Sequence, residues 1–150
     1  MKGLTLPSPS PTLKMMEKSR WKQRFDHFEQ AFDRLKEALN RVQGNPNDDL
    51  LVAGLIQTYE FTLELGWKTM KDFLYEKGFD LHGSKETMKQ AFQEGFVQDG
   101  HGWMQAIEDR NMTARTYNQT LAKEVLSKIK SDYFPLLSDL YFFLKHALNS

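Results

Sequence analysis

The helical nature of this protein is clearest in residues 21–42, WKQRFDHFEQAFDRLKEALNRV. Large apolar side chains recur there at alternating intervals of four and three residues: Trp21, Phe25, Phe28, Phe32, Leu35, Leu39 and Val42. This heptad spacing puts one narrow apolar stripe on a helix whose other faces carry charges. Helices with such stripes pack against their neighbours at shallow angles of roughly 20°. The pattern therefore predicts a helical bundle.

A second and more apolar helix follows the first. The turn residues 44–47, Gly-Asn-Pro-Asn, end the first helix. Asp48 or Asp49 begins the next one, because a carboxylate is favourable at a helix N-terminus. This helix runs to Lys77 and is followed by Gly78, a common stop signal. Its residues 50–65 are apolar on more than one side, so we expect it to be the central helix of the bundle.

Two shorter helical segments come next. The first begins at Ser84, which we expect to act as its cap. Its spacing predicts that three apolar residues face inward: Met88, Ala91 and Phe92. After several glycines, residues 103–114 read as another helix.

The last predicted helix begins after Asn118 or Thr120 and carries apolar residues to the end of the chain. Pro135 lacks a backbone donor, which predicts a kink or a break near Ser131. No segment alternates with period two for long enough to predict a sheet. The predicted fold class is therefore all-α, an up-and-down four-helix bundle with one additional short helix.

Composition limits the classes of protein to consider. The 150 residues have room for one domain, and we assign residues 1–17 to a flexible N-terminal leader and residues 18–150 to the bundle. The 20 basic and 20 acidic residues cancel, so no global field attracts nucleic acid or anionic lipid. No cysteine occurs, which excludes disulfides and fits a cytoplasmic location. No apolar run approaches the roughly 20 residues of a membrane span.

The most polar constellation is residues 108–118, EDRNMTARTYN. A phosphate or a nucleotide can be held by four of its side chains: Arg110, Asn111, Arg115 and Tyr117. Arg110 and Arg115 lie about 140° apart on an ideal helix, so they line one cleft only near a helix end or across a dimer. The alternative is structural, with Arg110 tying two helices together through Glu60 or Glu64. Spacing alone favours that structural alternative.

A second constellation on the central helix consists of Glu60, Glu64 and Lys68. Two carboxylates one turn apart can act as a metal or acid–base pair, and Glu64 can equally form the favourable acid-before-base pair with Lys68. No Glu-x-x-His motif follows on another helix, and no two histidines stand at metal-ligand spacing. We therefore predict a supporting structural role for these residues and neither a metal nor a cofactor.

Three segments together resemble one known family. They are residues 54–69 (GLIQTYEFTLELGWKT), residues 89–95 (KQAFQEG), and Trp103 with residues 108–111 and 116–118. The combination is similar to the nucleotidyltransferase substrate-binding proteins, a branch of the HEPN superfamily of helical bundles. The resemblance implies a homodimer encoded beside a minimal nucleotidyltransferase, in modules often described as toxin and antitoxin.

The resemblance also bears on the polar constellation. Many HEPN relatives carry an Arg followed four to six residues later by a His, and they use that pair for metal-independent RNA cleavage. Arg110 matches the Arg, but Arg115 stands where the His is expected. A guanidinium stays protonated near neutral pH, so Arg115 can bind phosphate but cannot exchange a proton as imidazole does. Tyr117 matches a tyrosine that the partner nucleotidyltransferase adenylylates in some related modules.

The expected function is that of a substrate-binding or regulatory subunit in a two-component nucleotidyltransferase, without catalytic residues of its own. The expected partners are a minimal nucleotidyltransferase, a second copy of this chain, and a nucleotide or RNA ligand. The homodimer is also favoured by the apolar surplus of residues 50–65 and 140–144. The alternative is a HEPN-type metal-independent ribonuclease toxin built on the same residues.

Overall fold

Six α-helices and one π-helical turn form the part of the chain that the computed structural model describes, residues 19–150. We number the helices α1 to α6, and the π-turn Ile129–Tyr133 lies between the last two; the helices are α1 (Arg20–Gly44), α2 (Asp49–Tyr75), α3 (Ser84–Gln93), α4 (Gly100–Arg115), α5 (Gln119–Lys128) and α6 (Phe134–Leu148). The predicted leader, residues 1–17, lies outside the described residues. Within residues 19–150, none of the helices is both long and apolar enough to cross a membrane.

The heptad stripe of α1 is buried as its spacing predicts. Six of its seven apolar residues are buried and Leu39 is partly so. The stripe packs mainly on α2, and α2 also contacts each of the other helices, which confirms it as the central one. The closest approach is at Gly66, where an added Cβ would lie 3.1 Å from Cε1 of Phe28 and 3.2 Å from Cδ2 of Leu140. A larger residue there would push α1 and α6 away from α2.

Helix starts follow the capping residues in most places. The side chain of Asp48 accepts hydrogen bonds from the backbone N–H groups at the start of α2, and Asn118 does the same for α5. The start of α4 lies three residues earlier than predicted, because Asp99 caps it through the N–H of Gly102. Ser84 does not cap α3, since Gly83 holds the N-cap position and Ser84 is already helical.

The inward face of α3 is narrower than the sequence suggests. Thr87, Met88 and Ala91 are buried, but Phe92 is exposed and its ring lies against Gly100. The prediction for Phe92 was therefore wrong. A ten-residue helix at the edge of the bundle buries one stripe, and Phe92 is turned about 100° from Ala91, outside that stripe.

The effect of Pro135 is a local change of helix type. Phe134 donates its backbone N–H to the carbonyl of Ile129, five residues back, and the π-turn joins α5 to α6 as one continuous helical segment. Ile129 and Tyr133, the first and last residues of this turn, are both buried. With α5, the π-turn and α6 taken as one segment, four long helical segments and the short α3 confirm the predicted all-α bundle.

Candidate functional site

The candidate site is built at the carboxyl end of α4, which α2 holds by polar contacts. The hydroxyl of Tyr59 donates to the backbone carbonyl of Ala106 at 2.8 Å. About two turns further along α4, the hydroxyl of Thr113 donates to Oε2 of Glu60 at 2.7 Å. These bonds fix the rotation of α4 about its axis and thereby the direction of the residues between them.

Arg110 is tied to Glu64 of α2. Its Nη2 lies 3.2 Å from Oε2 of Glu64, which also accepts from Nε1 of Trp67 at 3.1 Å, while Nζ of Lys68 lies 3.1 Å from Oε1. Burial raises the pKa of Glu64, but the bonds from Trp67 and Lys68 and the charge of Arg110 outweigh it, so that this pKa lies below its ordinary value. Glu64 and Lys68 therefore contact each other beside Arg110, while Glu60 accepts from Thr113 instead of Arg110.

The other nitrogens of the Arg110 guanidinium are only partly hydrogen-bonded. Nη1 donates to Oδ1 of Asn111 over a long distance, 3.4 Å, and Nε is buried without a hydrogen-bond partner among the described residues. Because Asn111 accepts through its oxygen, its amide N–H groups are left to donate elsewhere. Arg110 therefore combines a structural ion pair with donors that are not all satisfied.

Arg115 and Asn111 line one groove between the start of α3 and the end of α4, which we call the α3–α4 groove. It has a volume of about 390 Å³ and is lined by Lys85, Glu108, Asn111, Met112, Arg115 and Thr116. Among residues 19–150, nothing forms an ion pair or a hydrogen bond with the exposed Arg115 side chain. Lys85 and Glu108 face each other across the rim, with Nζ 2.6 Å from Oε1.

Tyr117 lies in a different groove. It follows the end of α4, is 50% exposed, and borders a groove of about 380 Å³ between the start of α2 and α5. The floor of this groove is apolar and its lining includes Val52, Ala53, Ala122 and Leu126. Within one chain the structure therefore brings Arg115 and Asn111 together, but neither Arg110 nor Tyr117 lines their groove.

Sequence reasoning missed the buried support beneath Arg110. The carboxylate of Asp109 accepts a short hydrogen bond from the hydroxyl of Tyr133, and Nζ of Lys128 lies 3.4 Å away. The ring of Tyr133 stacks on Tyr59 with centroids 5.6 Å apart. Burial and the bond to Asp109 raise the pKa of Tyr133 above its ordinary value.

One signal for this support was present in the sequence. Ala106, Asp109 and Thr113 recur at intervals of three and four on α4, and all three are buried. That spacing marks Asp109 as an inward-facing carboxylate in need of a partner. Its partner Tyr133 is 24 residues away on the buried face of the last helical segment, and local spacing does not show that the two residues meet.

Among residues 19–150, no three His, Asp or Glu side chains are grouped so that they could hold a metal ion. The chemistry that the geometry offers is the binding of anions by guanidinium, ammonium, amide and hydroxyl groups at the end of α4.

Comparisons with known proteins agree with this fold. The Haemophilus influenzae protein HI0074, whose structure is described as revealing the fold of a substrate-binding domain of a nucleotidyltransferase, superposes with a TM-score of 0.73 at 27% identity, covering 81% of this chain and 98% of that one. A Thermus thermophilus protein superposes with a TM-score of 0.66 at 26% identity, covering 75% and 94%.

A sequence relative carries a different name. The probable ribonuclease HepT of Haemophilus influenzae is 34% identical over 86 residues, which are 54% of this chain and 59% of that protein, so the chain spans less than two thirds of that relative's length. The model of the family described as nucleotidyltransferase substrate-binding protein-like matches residues 23–146, nearly all of the bundle. This chain belongs to that family of nucleotidyltransferase substrate-binding-like proteins.

Proposed function

We propose that this chain is the substrate-binding and regulatory subunit of a two-component nucleotidyltransferase, in a module of the toxin–antitoxin kind. It binds a nucleotide or another phosphate-bearing substrate at the end of α4 and docks a minimal nucleotidyltransferase that supplies the catalytic centre. The observation that carries the proposal is Arg115, an exposed guanidinium without a carboxylate partner among the described residues, beside the free amide donors of Asn111.

The chemistry of Arg115 favours phosphate as its ligand. A guanidinium presents five donors in a planar fork that matches two phosphate oxygens, and it stays charged at any physiological pH. Arg110, by contrast, forms an ion pair with the partly buried carboxylate of Glu64. Arg115 has no such partner in residues 19–150, so its charge is available to a ligand.

A homodimer is part of the proposal. Leu50 is 85% exposed and Phe61 is 56% exposed, both on α2 and on the same side as Gly54 and Gln57. Large apolar side chains on one face of a central helix favour burial against a second copy. Because Leu50 borders the same groove as Tyr117, such a dimer covers the surface beside the candidate site.

Tyr117 is the proposed acceptor of a nucleotidyl group from the partner. In that step its phenol oxygen attacks the α-phosphorus of ATP and a new O–P bond forms. The bond from the α-phosphorus to the bridging oxygen breaks, pyrophosphate leaves with the electron pair, and the phenol proton passes to solvent. The half-exposed position of Tyr117 outside the helices leaves its hydroxyl accessible to a second protein.

The second candidate function is a metal-independent ribonuclease, which the name of the Haemophilus influenzae relative favours. Against it stands Arg115, because a guanidinium with a pKa above about 12 cannot take up and release a proton near neutral pH. Arg110 is no substitute, since it is held by Glu64. The binding subunit is therefore the function that the side chains support best.

The test combines this chain with the minimal nucleotidyltransferase encoded by the same genome. We expect the two proteins to co-elute, Arg115→Ala to weaken binding of AMP, and ATP to add one AMP unit to wild-type protein but not to Tyr117→Phe. Metal-independent RNA cleavage by the isolated chain that is lost in Arg110→Ala would establish the ribonuclease instead. No complex together with no AMP binding would refute the proposed function.

A further inference from the structure

We propose that the α3–α4 groove binds a phosphate group through Lys85 as well as Arg115, and that Glu108 holds Lys85 until the ligand displaces it. The inference rests on the proposed function and deepens it, because it names the ligand chemistry and a second cation for the same groove. The ligand class is a phosphate dianion, free or as the phosphate group of a nucleotide.

The groove presents hydrogen-bond donors from two different helices. Lys85 stands at the start of α3, and Asn111, Arg115 and Thr116 stand at the end of α4. Arg115 has no partner among residues 19–150, and the amide N–H groups of Asn111 are free because its oxygen faces Arg110. An ammonium, a guanidinium, an amide and a hydroxyl around one groove suit the several acceptor oxygens of a phosphate.

Lys85 lies beside Glu86 in the first turn of α3, at the end of the helix where a cation is unfavourable. Lys85 is the second residue of the ten-residue helix α3, where the unpaired N–H groups already carry partial positive charge. A cation at this end is unfavourable for the helix, and Gly83 at the N-cap position offers no side-chain acceptor. Glu108 compensates Lys85 across the groove with its Oε1 at 2.6 Å.

In the Lys85–Glu108 ion pair, a phosphate ligand can replace Glu108 at little cost. The two side chains are 49% and 56% exposed, and ion pairs this exposed contribute little because water screens them and each charge is well hydrated when released. A phosphate dianion gains both Lys85 and Arg115, whereas Glu108 forms an ion pair with Lys85 and not with Arg115. Glu108 therefore selects for ligands with enough negative charge to replace it.

The test is calorimetric titration of the full-length chain with 5′-AMP, inorganic phosphate and adenosine at about 0.1 M salt. We expect AMP and phosphate to bind and adenosine not to bind. Glu108→Gln is expected to tighten AMP binding by about 3- to 10-fold, since one negative charge is removed a few ångströms from the ligand. Lys85→Gln is expected to weaken AMP binding by a similar factor.

Two exposed residues provide matched controls. Lys89→Gln removes the same charge one turn further along α3, and Glu124→Gln removes a carboxylate from α5; neither residue lines the groove. Both variants are expected to bind AMP within about twofold of wild type, because neither side chain lines the groove and exposed charges outside it interact with the ligand through water and salt that screen them.

The double variant decides whether Glu108 acts through Lys85. If Glu108 holds Lys85, the gain from Glu108→Gln shrinks when Lys85 is already Gln. An equal gain in both backgrounds would mean that Glu108 merely repels the anion, and it would overturn the proposed exchange. Adenosine binding as tightly as AMP would overturn the phosphate ligand.

Failure of this inference can be told apart from failure of the proposed function. Loss of AMP binding in Arg115→Gln with no effect of Lys85→Gln or Glu108→Gln would leave the binding subunit in place and refute the role of Lys85. Absence of AMP and phosphate binding in wild-type protein would refute this inference, and absence of a complex with the nucleotidyltransferase as well would refute the proposed function.

Discussion

The hydroxyl of Tyr133 donates a hydrogen bond to the buried carboxylate of Asp109, the residue directly before Arg110. Tyr133 belongs to the π-turn, and its ring stacks on Tyr59 of α2, which itself donates to α4. Three helical segments are thus joined beneath the candidate site by two tyrosines and one carboxylate. The π-turn that precedes Pro135 thus contributes a side chain that supports the residue next to Arg110.

We expect Tyr133→Phe to lower the free energy of unfolding by roughly 1–3 kcal/mol, because the buried Asp109 carboxylate loses its short bond and keeps only the long contacts to Lys128 and Gln105. The ring and its stacking are retained, so the loss reports on the hydroxyl. Urea unfolding followed by circular dichroism measures it. Tyr75→Phe, at an exposed tyrosine, serves as the control. Equal free energies of unfolding for the two variants would contradict a stabilising role of the Tyr133–Asp109 hydrogen bond.

Truncation of Arg110 and of Arg115 is expected to change the free energy of unfolding by different amounts. Arg110→Ala should lower the free energy of unfolding by roughly 1 kcal/mol, since it removes a partly buried partner from Glu64, which retains Trp67 and Lys68. Arg115→Ala should change it by less than about 0.5 kcal/mol, as is usual for exposed residues without partners. Thermal unfolding measures both. A destabilised Arg115→Ala would show that its charge serves the fold instead of a ligand.

Acid should weaken the fold partly through Glu64. Its pKa in the folded protein lies below the ordinary value of 4.5, so the stabilisation it contributes is present above that value and is lost as the pH falls through the lowered pKa. Urea midpoints measured between about pH 6 and pH 3 should therefore fall less steeply for Glu64→Gln than for wild type. Glu124→Gln, at an exposed position, should follow the wild-type curve.

The oligomeric state tests the apolar face of α2. We expect light scattering at micromolar concentration to give twice the 17.5 kDa of one chain. Phe61→Glu should shift the protein to the monomer because a buried charge without a partner opposes association. Phe142→Glu, at an exposed phenylalanine of α6, should remain dimeric. A monomeric wild type would remove the dimer from the proposed function, and a monomer only in Phe142→Glu would move the interface to α6.

Much of the fold could be predicted from the chain alone because its signals are local. The four-and-three spacing from Trp21 to Val42 repeats within each turn, and it correctly marks the buried face of α1. Asp48 and Asn118 cap the helices that follow them, since a capping side chain reaches only two or three residues ahead. The prediction that Phe92 faces inward was wrong because the exposure of Phe92 depends on how deeply α3 is buried in the bundle, which is not a local property.

Which residues of the candidate site meet one another could be learned only from the tertiary structure. Spacing identified Arg110, Asn111, Arg115 and Tyr117 as chemically able to hold a phosphate, but it could not say which of them had partners. Arg110 meets Glu64, 46 residues earlier, and Lys85 meets Glu108, 23 residues later. Such contacts depend on the rotation and crossing of whole helices. Those variables are set by the packing of the entire core, so only the folded chain separates Arg115, free for a ligand, from Arg110, held by the bundle.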